Sequence, residues 1–401
     1  MRRLGLVVVS PLPPAWSGIA DYTWRLIPHL SEHWEVSVVV ADDDPEPEVG
    51  SDEVQVFKVH EWPWAHRLIG AERMLLCLGN SHHHLHVPEM CRAHGGVVLA
   101  HDVRTTAFHC LRAAGSPDRH LLSRLVEDRH GPELGREVRA MEELSPVAEC
   151  FDEVRRRLEE ANALLLGAAI SGAHSVLVHT RLAARLARLE LKDMGIPVSV
   201  VPFGHPSPWS AARCPVEGRI SSFGMVEPEK HPALLIEALA VLRATVPTAT
   251  LRFVGPIGRG MADPLERLAA RLGVADAVSL TDRVEDSDYR QELARADVAV
   301  QLRAVVNGEA SAAVADCLAA GIPTLVTTVG AHADLPPRAA FQVRSGASAH
   351  EIAGQLLALL ADPEEKEALS KGARAHAGSS SFATAAGALT EALIASPPIR
   401  D

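Results

Sequence analysis

The feature that most constrains this chain is a recurring short run of β-branched and other apolar residues, closed by turn residues and followed by a helical pattern. In the first half such runs fall at 6–9, 36–40, 54–57, 74–78, 97–100, 176–178 and 198–201. They are continuously apolar where a half-exposed strand would alternate. They therefore predict strands buried on both faces of a parallel sheet, joined by crossover helices. The pattern breaks at Pro202-Phe203-Gly204-His205-Pro206-Ser207-Pro208, which reads as an interdomain linker. It restarts with strands at 220–223, 250–254, 278–280, 298–302 and 324–327, and helices near 231–245, 263–272, 287–295, 309–320, 349–361 and 363–376.

Two doubly wound domains follow from that order, and 401 residues are more than one core usually serves. The predicted boundaries are 1–205 and 206–380, with 381–401 a terminal helix and tail that could pack on either domain. Residues 107–166 break the alternation. They are rich in Arg, Glu, Leu and Ala at helical spacing without a strand signal, and read as two or three helices inserted into the first domain. Open α/β sheets bind ligands outside the carboxyl ends of their strands, so the chemistry is expected on strand-to-helix loops lining a cleft between the domains.

Charge and cysteine usage narrow the function class. A formal net charge of −12 argues against general nucleic-acid binding, which needs a basic surface. Six cysteines lie scattered with no C-x-x-C pair, as free thiols of a reducing cytoplasm do. The apolar run after Arg3 is too short for a signal-peptide core, and the stretch 163–178 is interrupted by Gly, Ser and His. The expectation is a cytoplasmic protein whose membrane contact is at most peripheral. Oligomeric state is not legible.

Three loops of the first domain carry candidate chemistry. Ser17 and Gly18 open a helix predicted to begin near Asp21, where a glycine lets backbone N–H groups approach an anionic oxygen. A proline-stiffened turn that needs glycine for steric reasons is the alternative. Gly79-Asn80-Ser81-His82-His83-His84 and His101-Asp102 follow the fourth and fifth runs. Solvated loop histidines would account for the first of these, and a core or capping role for His101. A metal bound by the closely spaced histidines is set aside, because neighbours on one loop rarely converge on an ion and no carboxylate or cysteine completes a ligand spacing. No metal and no cofactor are expected.

In the second domain Lys230 lies in or beside the first turn of a helix, where a cation opposes the helix dipole unless an anion is shared between them. A surface lysine is the alternative. The stretch from Gln301 to Pro323 is the most specific. Asn307, Gly308 and Ser311 can free backbone amides at a helix start, Glu309 and Asp316 would project from one helical face, and small residues from Ala310 onward admit a ligand. With Arg303 in the preceding loop, the set suits a ligand bearing both hydroxyls and phosphates.

Taken together these segments resemble the family 4 retaining glycosyltransferases of the GT-B fold, two Rossmann-like domains facing a central cleft. The resemblance rests on S-G-I-A-D-Y at 17–22, L-G-N-S-x-x-H at 78–84, V-V-L-x-H-D at 97–102, V-H-T at 178–180, F-G-x-x-x-P-E-K at 223–230 and G-E-A-S-A-A-V-A-D-C-L-A-A-G-I-P at 308–323. It implies transfer of a sugar from a nucleotide diphosphate donor to a hydroxyl acceptor: a glycan, a lipid-linked molecule or a secondary metabolite. Gly18 would approach the donor diphosphate or sugar, His101 would lie beside the sugar in transit, and Lys230 would hold the diphosphate. Glu309 would contact sugar hydroxyls and Asp316 the nucleotide ribose. Ser17, Asn80, His84, Asp102, Gly308, Ala310 and Ser311 would be further substrate-binding positions.

The chain departs from the family at two points. Met225 stands where an arginine usually follows the glycine, with Arg303 as its substitute, and the paired acids fall at 309 and 316 where the family spacing gives 308 and 316. The resemblance also implies front-face attack in which the leaving phosphate takes the acceptor proton. A GT-B relative that has lost turnover and serves another enzyme is the competing class. A phosphorylase or synthase would need a further basic cluster that the sequence does not show.

Overall fold

The computed structural model describes residues 3–47, 54–210, 212–303 and 307–400; 304–306, within the Gln301–Pro323 stretch, lie outside the described residues. The chain divides into two compact units, one formed by Met1–Phe203, Asn307–Ala310 and Phe382–Asp401, the other by Gly204–Val306 and Ser311–Ser381.

The first unit contains β1 (Gly5–Val9), α1 (Gly18–Ser31), β2 (Glu35–Val40), β3 (Gln55–Lys58), α2 (Trp62–Ile69), β4 (Ala71–Leu78), α3 (Val87–His94) and β5 (Val97–Ala100). It continues with α4 (Thr106–Ala114), α5 (Leu121–His130), α6 (Pro132–Leu144), α7 (Phe151–Glu160), α8 (Leu166–Ala169), β6 (Ser175–Val178), α9 (Arg181–Glu190) and β7 (Val198–Val200). Its seven strands run in the order β3-β2-β1-β4-β5-β6-β7, with parallel pairing throughout.

Strand β1 shows why the runs are continuously apolar. Leu6 and Val8 face a core shared with Tyr22 and Leu26 of α1, while Val7 and Val9 face another shared with Val87 and Met90 of α3 and Ala183 of α9. Helices cover both sides, so neither set of alternate residues meets water. The inserted segment holds four helices, α4 to α7, more than its composition had indicated. They close around a core of their own that includes Cys110, Leu122, Val126, Val138, Val154 and Leu158.

The second unit contains β8 (Arg219–Phe223), α10 (Pro232–Arg243), β9 (Thr250–Val254), α11 (Ala262–Arg271), β10 (Val278–Leu280), α12 (Asp286–Arg295), β11 (Val298–Gln301) and α13 (Ala312–Ala320). After these come β12 (Thr324–Thr327), β13 (Phe341–Val343), α14 (Ala349–Ala361) and α15 (Pro363–Ser379). Six parallel strands run β10-β9-β8-β11-β12-β13. The last helix, α16 (Phe382–Ala395), belongs to the first unit, where Phe382, Ala385, Leu389 and Leu393 fill the core beside α1 and β1. Among the described residues no helix is long and apolar enough to cross a membrane.

Candidate active site

In the first unit the predicted residues cluster on loops that leave the carboxyl ends of β1, β4 and β5. Helix α1 starts at Gly18, three residues earlier than the sequence suggested, because Ser17 caps it by accepting the Ile19 N–H at 3.2 Å. Gly18 itself is exposed, and a Cβ built there would meet no protein atom within 4 Å. Neither packing nor a left-handed backbone requires glycine at this position, so the steric alternative finds no support. Gly18→Ala is therefore expected to leave thermal stability within about 0.5 kcal/mol but to weaken donor use by roughly tenfold or more. Melting curves alongside the donor KM check this, and an unchanged KM would remove Gly18 from the site.

Asn80 is held at both ends of its amide. Nδ2 donates to the Arg104 carbonyl at 2.7 Å, and Oδ1 accepts the Phe108 N–H at 3.2 Å. Its backbone N–H donates to Asp102 at 3.1 Å. These bonds tie the loop after β4 to the loop after β5 and to the start of α4, which fixes the placement of His101.

His84 is buried, not solvated. Its Nδ1 donates to the Cys77 carbonyl at 2.9 Å, leaving Nε2 buried without a hydrogen-bond partner. Burial, and then the neighbouring His86, push its pKa down to about 3, so the ring is neutral. His101 is 7% exposed and sits edge-on to Tyr22, with ring centroids 5.2 Å apart. Its Nε2 too lacks a partner, and burial, then His179 and His84, hold it well below the ordinary imidazole range. A buried nitrogen left unsatisfied costs about 1–3 kcal/mol, which a ligand hydroxyl would recover.

The rings that frame His101 are those the sequence reading assigned no role. His179, Tyr22 and Phe203 pack in a cluster, with Tyr22 stacked on Phe203 at 4.7 Å and His101 lying 5.2 Å from His179. The V-H-T segment was the available signal for His179. Nothing in local spacing points to Phe203.

Asn307–Ala310 also belongs to the first unit. The Asn307 carbonyl accepts the Val103 and Arg104 N–H groups at 2.7 and 3.1 Å, just beyond His101-Asp102. Gly308 is required by the protein itself: its φ is +91°, and a Cβ would lie 2.4 Å from Val103 Cγ2. The Thr180 hydroxyl donates to its carbonyl at 3.4 Å. The expectation that Glu309 and Asp316 share a helical face is overturned. Ser311 caps α13, accepting the Val314 N–H at 3.4 Å, so the helix begins at Ala312 and Glu309 precedes it. The Glu309 carboxylate turns back to accept the Asn307 N–H at 2.7 Å, and Ala310 lies between that acid and the cap.

The second unit brings its predicted residues together around the end of β8. Pro228–Lys230 forms a single 3-10 turn, and helix α10 begins only at Pro232. Lys230 therefore stands beside that helix instead of within it. At Gly224, φ is +85°, and a Cβ would come within 3.2 Å of Lys230 Nζ and 3.5 Å of Ala313 Cβ. The ammonium thus lies over the bare Gly224 backbone, next to the first turn of α13. A cation, bare backbone and a helix N-terminus are the groups from which an anion cradle can be built.

Farther along α13, Asp316 accepts a hydrogen bond from the Tyr289 hydroxyl at 3.2 Å, and Tyr289 is positioned edge-on by Phe223 at 5.6 Å. The Arg303 N–H donates to Thr327 Oγ1 at 2.9 Å, which fixes its backbone at the exit of β11. Met225, the departure noted in the sequence, is 46% exposed.

Two parallel-sheet Rossmann-like units of this construction define the GT-B fold. Residues 217–376 match the family described as glycosyl transferases, group 1. It is 33% identical over 201 residues to a D-inositol 3-phosphate glycosyltransferase of Thermobispora bispora, a match covering 46% of each chain. The chain thus matches about half the length of that curated relative. Sucrose-phosphate synthase from Thermosynechococcus elongatus shares the fold, with a TM-score of 0.67 at 17% identity over 98% of this chain and 100% of that one. The Anabaena HepE protein solved with UDP and glucose does so at a TM-score of 0.62 and 14% identity, over 98% of this chain and 100% of that one.

Proposed function

We propose that the chain is a retaining glycosyltransferase that moves a sugar from a nucleoside diphosphate donor to a hydroxyl acceptor without a metal at the diphosphate. The observation that carries this reading is the cradle at Gly224, where Lys230 Nζ meets the start of α13. Breaking the bond between the anomeric carbon and the phosphate leaves negative charge on the diphosphate. A cation and helix amides already in place stabilise that charge without reorganising. Asp316, oriented by Tyr289, is suited to ribose hydroxyls, and Arg303 to the arginine half of the clamp that Met225 leaves vacant.

In the first unit the neutral His101 would orient a sugar hydroxyl through its buried Nε2, and Gly18 would admit the donor backbone-close. The leaving phosphate would take the acceptor proton, so no protein nucleophile is assigned. That HepE was solved with UDP and with UDP-glucose supports a nucleotide-sugar donor here, uridine being the first base to try.

Thermal unfolding with UDP, GDP, dTDP and ADP, each with and without EDTA, tests the reading on the wild type and on Lys230→Ala. One nucleotide should stabilise the chain by about 2.7 kcal/mol at a hundredfold excess over Kd. The increment should be insensitive to EDTA and absent from Lys230→Ala. Stabilisation by none of the four, in folded protein, would favour a non-catalytic partner of another enzyme.

A further inference from the structure

The histidine run after β4 has the carboxylate that local spacing could not supply. Asp44 lies in the loop after β2, and His82 and His83 in the short turn after β4; both strands pair with β1, so the two loops leave the same edge of the sheet on either side of it. We propose that Asp44, His82 and His83 form a site for one divalent transition-metal ion of the zinc class. This proposal does not depend on the donor reading above.

Four observations support it. One ligand atom from each residue lies within 4.8 Å of the others, the one such group among the described residues. The Asp44 and His83 side chains are 1% and 7% exposed and hydrogen-bond through Oδ1 and Nδ1, while Asp44 Oδ2 is buried with no partner. A buried carboxylate oxygen without a donor is costly unless a cation meets it. The His82 and His83 rings lie 3.9 Å apart, centroid to centroid. Finally, the loop is anchored: Lys58 Nζ donates to the Asp44 backbone carbonyl, and the neighbouring Asp42 is held by His60, at 2.8 Å from ring to carboxylate.

Two imidazole nitrogens and one carboxylate oxygen match the ligand set of zinc, whereas magnesium and calcium favour oxygen shells. His82 is exposed, so the ion's remaining position faces solvent and can take water or an anionic oxygen.

The test uses the full, tag-free chain stripped with chelator and desalted. Zinc titration in competition with a chromophoric chelator should give one ion per chain with a Kd below about 1 μM. Cobalt(II) should give the visible absorption of a low-coordinate nitrogen–oxygen site. His82→Ala, at an exposed position that leaves the fold undisturbed, should weaken zinc at least about tenfold, as should Asp44→Asn, while His60→Ala leaves it unchanged. No binding tighter than about 10 μM to folded wild type, or equal binding by wild type and His82→Ala, would overturn the site. If the site exists, EDTA shifts the baseline melting of metal-loaded chain without altering the increment given by a nucleotide, which separates this test from that of the donor site.

Discussion

Replacing Lys230 by alanine is expected to lower kcat/KM for the donor by about 150-fold, equivalent to about 3 kcal/mol of transition-state stabilisation. The residue is half-buried over Gly224, and its removal opens no core cavity, so unfolding free energy should change by less than about 1 kcal/mol. The loss should therefore appear in turnover and nucleotide affinity without a matching fall in melting temperature. Lys230→Arg is a useful companion. It keeps the charge, but its planar fork does not fit the compact space that an ammonium fills, so partial recovery is expected. Donor turnover by Lys230→Ala within a few fold of wild type would show that the cradle does not hold the diphosphate.

Stability should fall steeply on mild acidification. Burial pushes His109 down to about 3 and His332 to about 4, and holds His101 well below 6.5. In the unfolded chain each ring takes up a proton near 6.5, so below that pH the unfolded state binds more protons than the folded one. Their contribution is fully present above about 6.5 and is lost progressively as pH falls toward the folded values. At pH 5 the loss is about 2 kcal/mol per histidine, roughly 4 for His109 and His332 together, with more from His101. Ordinary carboxylates titrate near 4, which leaves the window from 6.5 to 5 to the histidines. Urea unfolding at pH 7.5, 6.5, 5.5 and 5.0 reads this directly. A flat profile would mean that these rings are hydrated in the folded chain.

The parallel strands were legible because burial on both faces leaves an unbroken apolar run, as at Val97–Ala100. Strand β13 was not, since Phe341-Gln342-Val343 is three residues long with a polar centre. The P-E-K segment pointed to Lys230 as a candidate, but that Gly224 adjoins it with a positive φ is something no local pattern announces. The error over Glu309 is instructive: Ser311 is the capping residue, and placing the cap there would have put Glu309 in the loop. The four-helix insertion was undercounted because Gly131 and Pro132 join α5 to α6 with almost no loop between them. Asp44 escaped entirely. Its partners lie far along the chain, and only the strand order of the sheet unites them.

The position of α16 bears on how the molecule is made. Most of the first unit is synthesised before the second unit, yet Phe382, Ala385, Leu389 and Leu393, which line the first unit's core, come after it. Until α16 has been made, Leu26 and Ile27 of α1 lack that apolar cover. The N-terminal half must therefore wait, partly open, while the entire second unit is synthesised, reversing the usual order in which the first domain made is the first completed. A chain released before Phe382 would leave its N-terminal segments unfinished, so α16 reports that the whole second unit has been read.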